Sequence, residues 1–285
     1  MSKGIVILAT NTPEVNYASM ACLCSDFVRN NLSKFDEIAI VTNTETYNEN
    51  KELIDKKFDR VIIDDYKPFV NVRMFKDTTN NTFKSEWNNH GRSSVYDLSP
   101  YDETLVIDSD YFVMSNTLDQ VWGSQNDFMI NSSFVDLAGR QEERLIYIDE
   151  FTIPMYWATV FYFKKSQFSE TLFTLINHIR NNYKYYCLLY NCPSAMFRND
   201  FVFSIALHII NGNVANNIPT LPFEYLNNSF DLDDIHKINS YNEITMLFAK
   251  KSDTTDYIFG KIKNMDIHIM NKKAILRHLS ELLNE

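Results

Sequence analysis

The stretch Thr104-Leu105-Val106-Ile107-Asp108-Ser109-Asp110 most constrains what this chain can become, because an apolar run stops abruptly at two carboxylates. A short, partly β-branched run of this kind reads as a buried strand, and side chains two apart at its end share a face, so Asp108 and Asp110 converge. Two carboxylates aimed at one point call for a cation, and an all-oxygen pair suits a hard ion such as Mg²⁺ or Mn²⁺. A second D-x-D, Asp231-Leu232-Asp233, lies in a polar segment that reads as a solvated loop, so the spacing alone carries little. The first pair is set apart by apolar sequence on both sides, with Tyr111-Phe112-Val113-Met114 following it.

The surrounding pattern predicts an α/β fold. Residues 4–9, 37–42 and 60–64 read as strands. Between them fall a helix opening at Thr12-Pro13 and a second over residues 49–57. In the first helix Tyr17, Met20, Ala21, Cys24, Phe27, Val28 and Leu32 recur at helical spacing. Such alternation is the signature of a mostly parallel sheet, whose ligands sit at the C-terminal strand ends. Thr10, Asn11, Asp64, Asp65, Asp108 and Asp110 all fall there. Residues 66–90 are irregular and Asn-rich, which predicts a loop over that edge. Further strands are predicted at 127–131 and 158–163. Ser166 should cap a helix with Phe168, Leu172, Leu175, Ile176 and Ile179 on one face. A buried helix over 200–210, a strand over 266–270 and a last helix over 271–284 complete one domain, 1–285, with that helix packed on it.

A chain of 285 residues with 45% hydrophobic content can bury a sizeable core. A formal charge of −10 argues against gripping nucleic acid through phosphate neutralisation. Only six glycines occur, without G-x-G-x-x-G or a P-loop, so a diphosphate would have to be held by metal and side chains. The N-terminal apolar run is too short for a signal-peptide core, and no stretch reaches the length of a membrane span, which together predict a cytoplasmic protein. Of four cysteines, Cys22 and Cys24 sit two apart on a helix and face different ways; Cys187 and Cys192 read as small buried hydrophobes rather than zinc ligands.

Beside that reading stands a family resemblance. The segment from Tyr101 to Asp110, followed by Leu118-Asp119-Gln120-Val121-Trp122, resembles the most quoted block of glycosyltransferase family 8, which includes glycogenin and bacterial lipopolysaccharide galactosyltransferases. Ala9-Thr10-Asn11 and Asn16-Tyr17-Ala18 look like the family's nucleotide-binding strand end. Arg92 falls where the family carries a basic residue. His268-Ile269-Met270-Asn271-Lys272-Lys273 is similar to its C-terminal H-aromatic-x-G-x-x-K-P-W pattern, without the glycine, proline and tryptophan and with a shorter His–Lys spacing. The family's Asn-Ala-Gly strand is replaced by Trp157-Ala158-Thr159, and its Asp-Gln-Asp segment by Arg198-Asn199-Asp200.

The resemblance implies a GT-A fold, a Rossmann-like mostly parallel sheet with the D-x-D at a central strand end. It implies that Asp108, Asp110 and His268 hold Mn²⁺ or Mg²⁺, and that Thr10, Asn11, Tyr17, Ser109, Lys272 and Lys273 contact the nucleotide and its phosphates. Arg92 would reach the diphosphate or sugar, and Asp200 would stand near the reacting carbon. The implied activity is retaining transfer of a hexose from a nucleoside-diphosphate sugar, with UDP as the expected carrier; the acceptor and the oligomeric state are not implied. Tyr17 reads equally as a core-facing helix residue, and Asp200 as the cap of the helix it starts. Two alternatives stand: a non-catalytic GT-A-like assembly module, and a sugar nucleotidyltransferase. The latter usually wants a glycine-rich basic loop that Leu8-Ala9-Thr10-Asn11-Thr12-Pro13 lacks.

Overall fold

The computed structural model describes the chain except for residues 67–70, 77–81, 88–90, 141–145, 149–152, 194–195, 215–217, 224, 251–255 and 283–285. Strand β1 (Lys3–Leu8) leads through a turn into α1 (Tyr17–Asn31). The helix opens later than Thr12-Pro13 suggested. Thr12 and Val15 close a turn on each other through backbone bonds of 3.1 and 3.3 Å, and Asn16 caps the helix by accepting from Ser19 N at 2.9 Å. Next come β2 (Glu37–Thr42), α2 (Thr44–Glu49), α3 (Lys51–Lys57) and β3 (Arg60–Ile63). The helix expected over 49–57 is α3, and an additional short helix, α2, precedes it, capped by Asn43, whose side chain accepts from Thr46 N at 2.9 Å.

The segment expected to be a loop over 66–90 contains an antiparallel pair, β4 (Asn71–Lys76) and β5 (Thr82–Trp87); the remainder of that prediction lies partly outside the described residues. A 3₁₀ turn at Gly91–Ser94 and α4 (Val95–Leu98) precede β6 (Glu103–Asp108) and β7 (Tyr111–Phe112). After another 3₁₀ turn, Thr117–Gln120, come β8 (Phe128–Ile130), β9 (Phe134–Asp136) and β10 (Val160–Lys164). Helices α5 (Gln167–Asn181), α6 (Tyr183–Leu189) and α7 (Asn199–Ile210) follow. The chain closes through β11 (Leu226–Ser229), β12 (Asp234–Ser240), β13 (Glu243–Ala249), β14 (Tyr257–Lys263), β15 (Ile267–Ile269) and α8 (Lys272–Leu282).

The central sheet has the order β3-β2-β1-β6-β10-β8. Its first four strands are parallel, and β10 runs antiparallel to both β6 and β8. This is the mostly parallel α/β arrangement expected, with the C-terminal ends of β1, β2, β3 and β6 on one edge. Register places Leu8 beside Asp108, so the D-x-D emerges at the middle of that edge.

Helix α1 is buried nearly all round because it separates two cores. Ala18, Ala21, Cys24 and Val28 pack toward the central sheet. Met20, Leu23 and Phe27 pack toward a second core formed with Phe112, the sheet β12-β13-β14 and Ile275 and Leu279 of α8. Phe27 stacks on Phe112 with ring centroids 4.4 Å apart, and burying one such ring stabilises by about 1.5–3 kcal/mol.

Two local expectations fail for identifiable reasons. Phe168 is 37% exposed while Phe173 takes its place in the core, since the apolar stripe of α5 begins one turn later. Asp233 of the second D-x-D is fully buried, not solvated: Arg140 bonds both it and Asp136, and Asp233 accepts from Phe230 N and Ala249 N at 2.7 and 3.0 Å. Cys22, Cys24 and Cys187 are buried as expected, whereas Cys192 is only half-buried; a hydrogen bond from Cys192 lowers the Cys187 thiol to about 7, and burial pushes Cys22 up to about 12. No helix among the described residues is long and apolar enough to cross a membrane.

Candidate functional site

The site grows from the end of β6. Asp108 is its last residue and donates its backbone N–H to Thr159 O at 3.0 Å. The chain then turns through the buried Ser109 and Asp110 into β7. Strand β7 pairs antiparallel with β15, setting Tyr111 opposite His268, and Ile269 N donates to Asp110 O at 2.9 Å. One short strand pair therefore joins residues more than 150 positions apart. Ligand atoms of Asp108, Asp110 and His268 all lie within 4.8 Å of one another.

The neighbour strand orients the imidazole. Asn228 of β11 stands opposite His268 in the parallel β11–β15 pair, and its Oδ1 lies 2.8 Å from Nδ1. With that oxygen accepting, Nδ1 carries a proton and the ring is turned so that Nε2 lies 3.3 Å from Asp110 Oδ2. Two carboxylates and one imidazole nitrogen at this spacing make a donor set that fits a divalent ion. Asn228 had no sequence signal, since its role follows only from strand register.

Cations surround the carboxylates. Arg92 is 5% exposed and contacts Asp108 through Nη2, and its Nε is buried without a partner. Burial pulls the guanidinium down to about 10, against the upward effect of Asp200 and Asp110. Its turn is pressed against β1: a Cβ on Gly91 would lie 2.8 Å from Leu8 Cδ2. Arg180 of α5 clamps the same turn, with Nη1 donating to Ser93 Oγ at 2.5 Å and to Ser94 Oγ at 3.2 Å. Lys272, the first residue of α8, contacts Asp110 Oδ2. Burial alone would raise the Asp110 carboxyl, but Lys272 and His268 hold it well below the usual carboxylate range.

Asp200 lies in the first turn of α7, one residue past the helix start, so it is not the N-cap. Its Oδ1 accepts from Ala158 N at 3.0 Å and its Oδ2 from Arg198 Nη2 at 3.0 Å. Trp157, preceding that backbone donor, has its indole Nε1 buried without a partner. Among the described residues, three ion pairs meet here: Arg92 with Asp108, Lys272 with Asp110 and Arg198 with Asp200.

The remaining expected residues divide. Asn11 is engaged structurally, with its Oδ1 accepting from Ala18 N at 3.0 Å and its N–H donating to Thr46 Oγ1 at 2.9 Å. Tyr17 is half-buried and packs against both cores, which favours its packing role. Thr10 is half-buried just beyond β1, and Lys273 is exposed while its neighbour Lys272 enters the site. Asp65 caps α2 by accepting from Thr44 N at 2.8 Å.

No family model and no curated protein matches the sequence. Among solved structures the chain is similar to the glycosyltransferase GlyE of Streptococcus pneumoniae TIGR4, at 11% identity and a TM-score of 0.41, covering 74% of this chain and 43% of that one. It thus spans less than half the length of GlyE. It is also similar to the galactosyltransferase LgtC in complex with donor and acceptor sugar analogues, at 15% identity and a TM-score of 0.44, covering 72% and 70%. A third is 4-diphosphocytidyl-2C-methyl-D-erythritol synthase of Anaerococcus prevotii, at 12% identity and a TM-score of 0.36, covering 71% and 81%. Likenesses of this size leave the function to be argued from the residues of the site.

Proposed function

We propose that the chain transfers a hexose, with retention, from a nucleoside-diphosphate sugar to an acceptor, using Mn²⁺ or Mg²⁺ held by Asp108, Asp110 and His268. The observation that carries this reading is the convergence of those three ligands at the sheet edge with Arg92 and Lys272 beside them. A divalent ion held there would act as a Lewis acid on the diphosphate as the nucleoside diphosphate leaves. Arg92 and Lys272 supply fixed and mobile positive charge for the phosphates, which matters most as negative charge grows on the leaving group. Asn228 keeps His268 Nε2 turned toward Asp110. Asp200, steadied by Ala158 N and Arg198, would face the sugar.

Charge balance supports a neutral sugar. The three described ion pairs balance charge for charge, and a divalent ion with a diphosphate of two negative charges adds no net charge to them, whereas an anionic sugar would add one.

A thermal-shift panel of UDP and GDP with and without Mn²⁺ tests the reading. A nucleotide at one hundred times its Kd should stabilise by about 2.7 kcal/mol. Donor hydrolysis then compares wild type with Asp110→Asn; full metal-dependent turnover in the variant refutes the metal assignment. A second reading, a binding module without turnover, draws on Asp200, both of whose oxygens are occupied within the chain. It predicts metal-dependent nucleotide binding with no donor hydrolysis.

A further inference from the structure

The Asp110 carboxylate, one of the three candidate metal ligands, already carries a cation. Asp110 Oδ2 faces His268 Nε2 at 3.3 Å and carries the Lys272 ammonium in direct contact. An ammonium and a divalent ion repel, so the two compete for the same carboxylate. The two cations of the site differ in freedom. Arg92 is a planar fork held in a turn that Arg180 clamps and Gly91 presses against Leu8, so it stays with Asp108. Lys272 has a flexible four-carbon stem on a helix end whose backbone is fixed separately. Asn271 accepts from Ala274 N at 3.1 Å and donates to Asp233 O at 2.8 Å, so the side chain can move without the helix moving.

We propose that Lys272 is a counter-ion switch: it holds Asp110 in the absence of donor, opposes metal binding there, and moves to the diphosphate when donor and metal enter together. This inference rests on the metal reading above. When a divalent ion displaces the ammonium, Lys272 stands beside the ion with no anion of its own. A diphosphate supplies that anion, so metal and nucleoside diphosphate each make room for the other. By linkage the coupling is reciprocal: the nucleotide strengthens metal binding by the same factor as the metal strengthens nucleotide binding. Metal alone is thereby disfavoured.

The experiment is calorimetric titration of Mn²⁺ into wild type and Lys272→Met, each without and with saturating UDP, with Lys272→Gln as a second uncharged variant and circular dichroism as a folding control. The expected result is that both variants bind Mn²⁺ alone more tightly than wild type, by roughly 10-fold, and that UDP then improves Mn²⁺ affinity by a smaller factor than in wild type. Unchanged or weaker binding of Mn²⁺ alone in folded variants overturns the switch, because a lysine acting only on phosphate, or an ion using the other Asp110 oxygen, gives that result. If wild type itself binds neither Mn²⁺ nor UDP, the metal reading fails and this proposal with it; wild type binding both while the variants leave Mn²⁺ affinity unraised removes only the role of Lys272.

Discussion

Replacing Arg92 by Met should destabilise the protein in a way that Mn²⁺ repairs. The guanidinium is almost fully buried, contacts Asp108 and acts electrostatically on Asp200 and Asp110. Met keeps much of the stem volume, so the loss is mainly one of charge. Removing one partner of a buried ion pair costs about 3–5 kcal/mol, because the remaining charge is left without a counter-ion in a poorly solvated place. Burial of both partners means that little of this is screened away. At roughly 2–4 °C per kcal/mol for a chain of this general size, the melting temperature should fall by about 10 °C. A divalent ion supplies the missing positive charge at the same carboxylate, so Mn²⁺ should stabilise Arg92→Met by more than it stabilises wild type, by about 1–2 kcal/mol beyond the mass-action gain common to both. Arg92→Lys, which keeps the charge and loses the fork, should fall between them. Thermal melts of the three proteins with and without Mn²⁺ measure each of these differences. A melting temperature for Arg92→Met within about 2 °C of wild type, or equal rescue of all three proteins by Mn²⁺, would refute the reasoning.

Two further predictions concern groups outside the ion's immediate shell. Arg140→Met should cost about 3–5 kcal/mol by stranding the fully buried Asp233 and the buried Asp136, and adding Asp233→Asn should recover part of that loss in urea melts; no recovery would show that packing, not charge, was lost. Asp266 is buried, with Oδ1 accepting from Met114 N and Ser115 N and Oδ2 buried without a partner, and burial raises its carboxyl to about 6 against those bonds. Because the native state then holds its proton to higher pH than the unfolded chain does, stability falls as pH rises from about 4 through 6. Asp266→Asn should therefore gain about 3 kcal/mol on wild type between pH 4 and pH 7, and parallel stability profiles for the two proteins would refute this.

What the sequence made legible and what it hid follow from how far apart the determining groups lie. Strand β6 and its two carboxylates were readable because an apolar run and its interruption are local. The capping role of Asn16 was obscured by Thr12-Pro13, an equally good local signal that a backbone turn absorbed. The β4–β5 pair was missed because an Asn-rich segment has little apolar alternation, and its hydrogen bonds arise between strands rather than from a residue pattern. Asp233 read as solvated since its partner Arg140 lies 93 positions away.

The sharpest case is the choice between Lys272 and Lys273, which adjacent identical residues and a shortened motif could not decide. Successive helical side chains point about 100° apart, so only one of the two can face the site, and which one depends on where the helix begins. That phase is set by Asn271, whose side chain accepts from Ala274 N while its amide is tied to Asp233 O, a carbonyl in the turn that Arg140 and the Asp233 carboxylate hold together. The buried ion pair misread as a loop therefore helps to aim the lysine at Asp110. If so, Asn271→Ala should weaken the Lys272–Asp110 contact without touching either residue, and its Mn²⁺ affinity without nucleotide should move in the same direction as that of Lys272→Met. An Asn271→Ala protein that stays folded and binds Mn²⁺ as wild type does would separate the helix cap from the site.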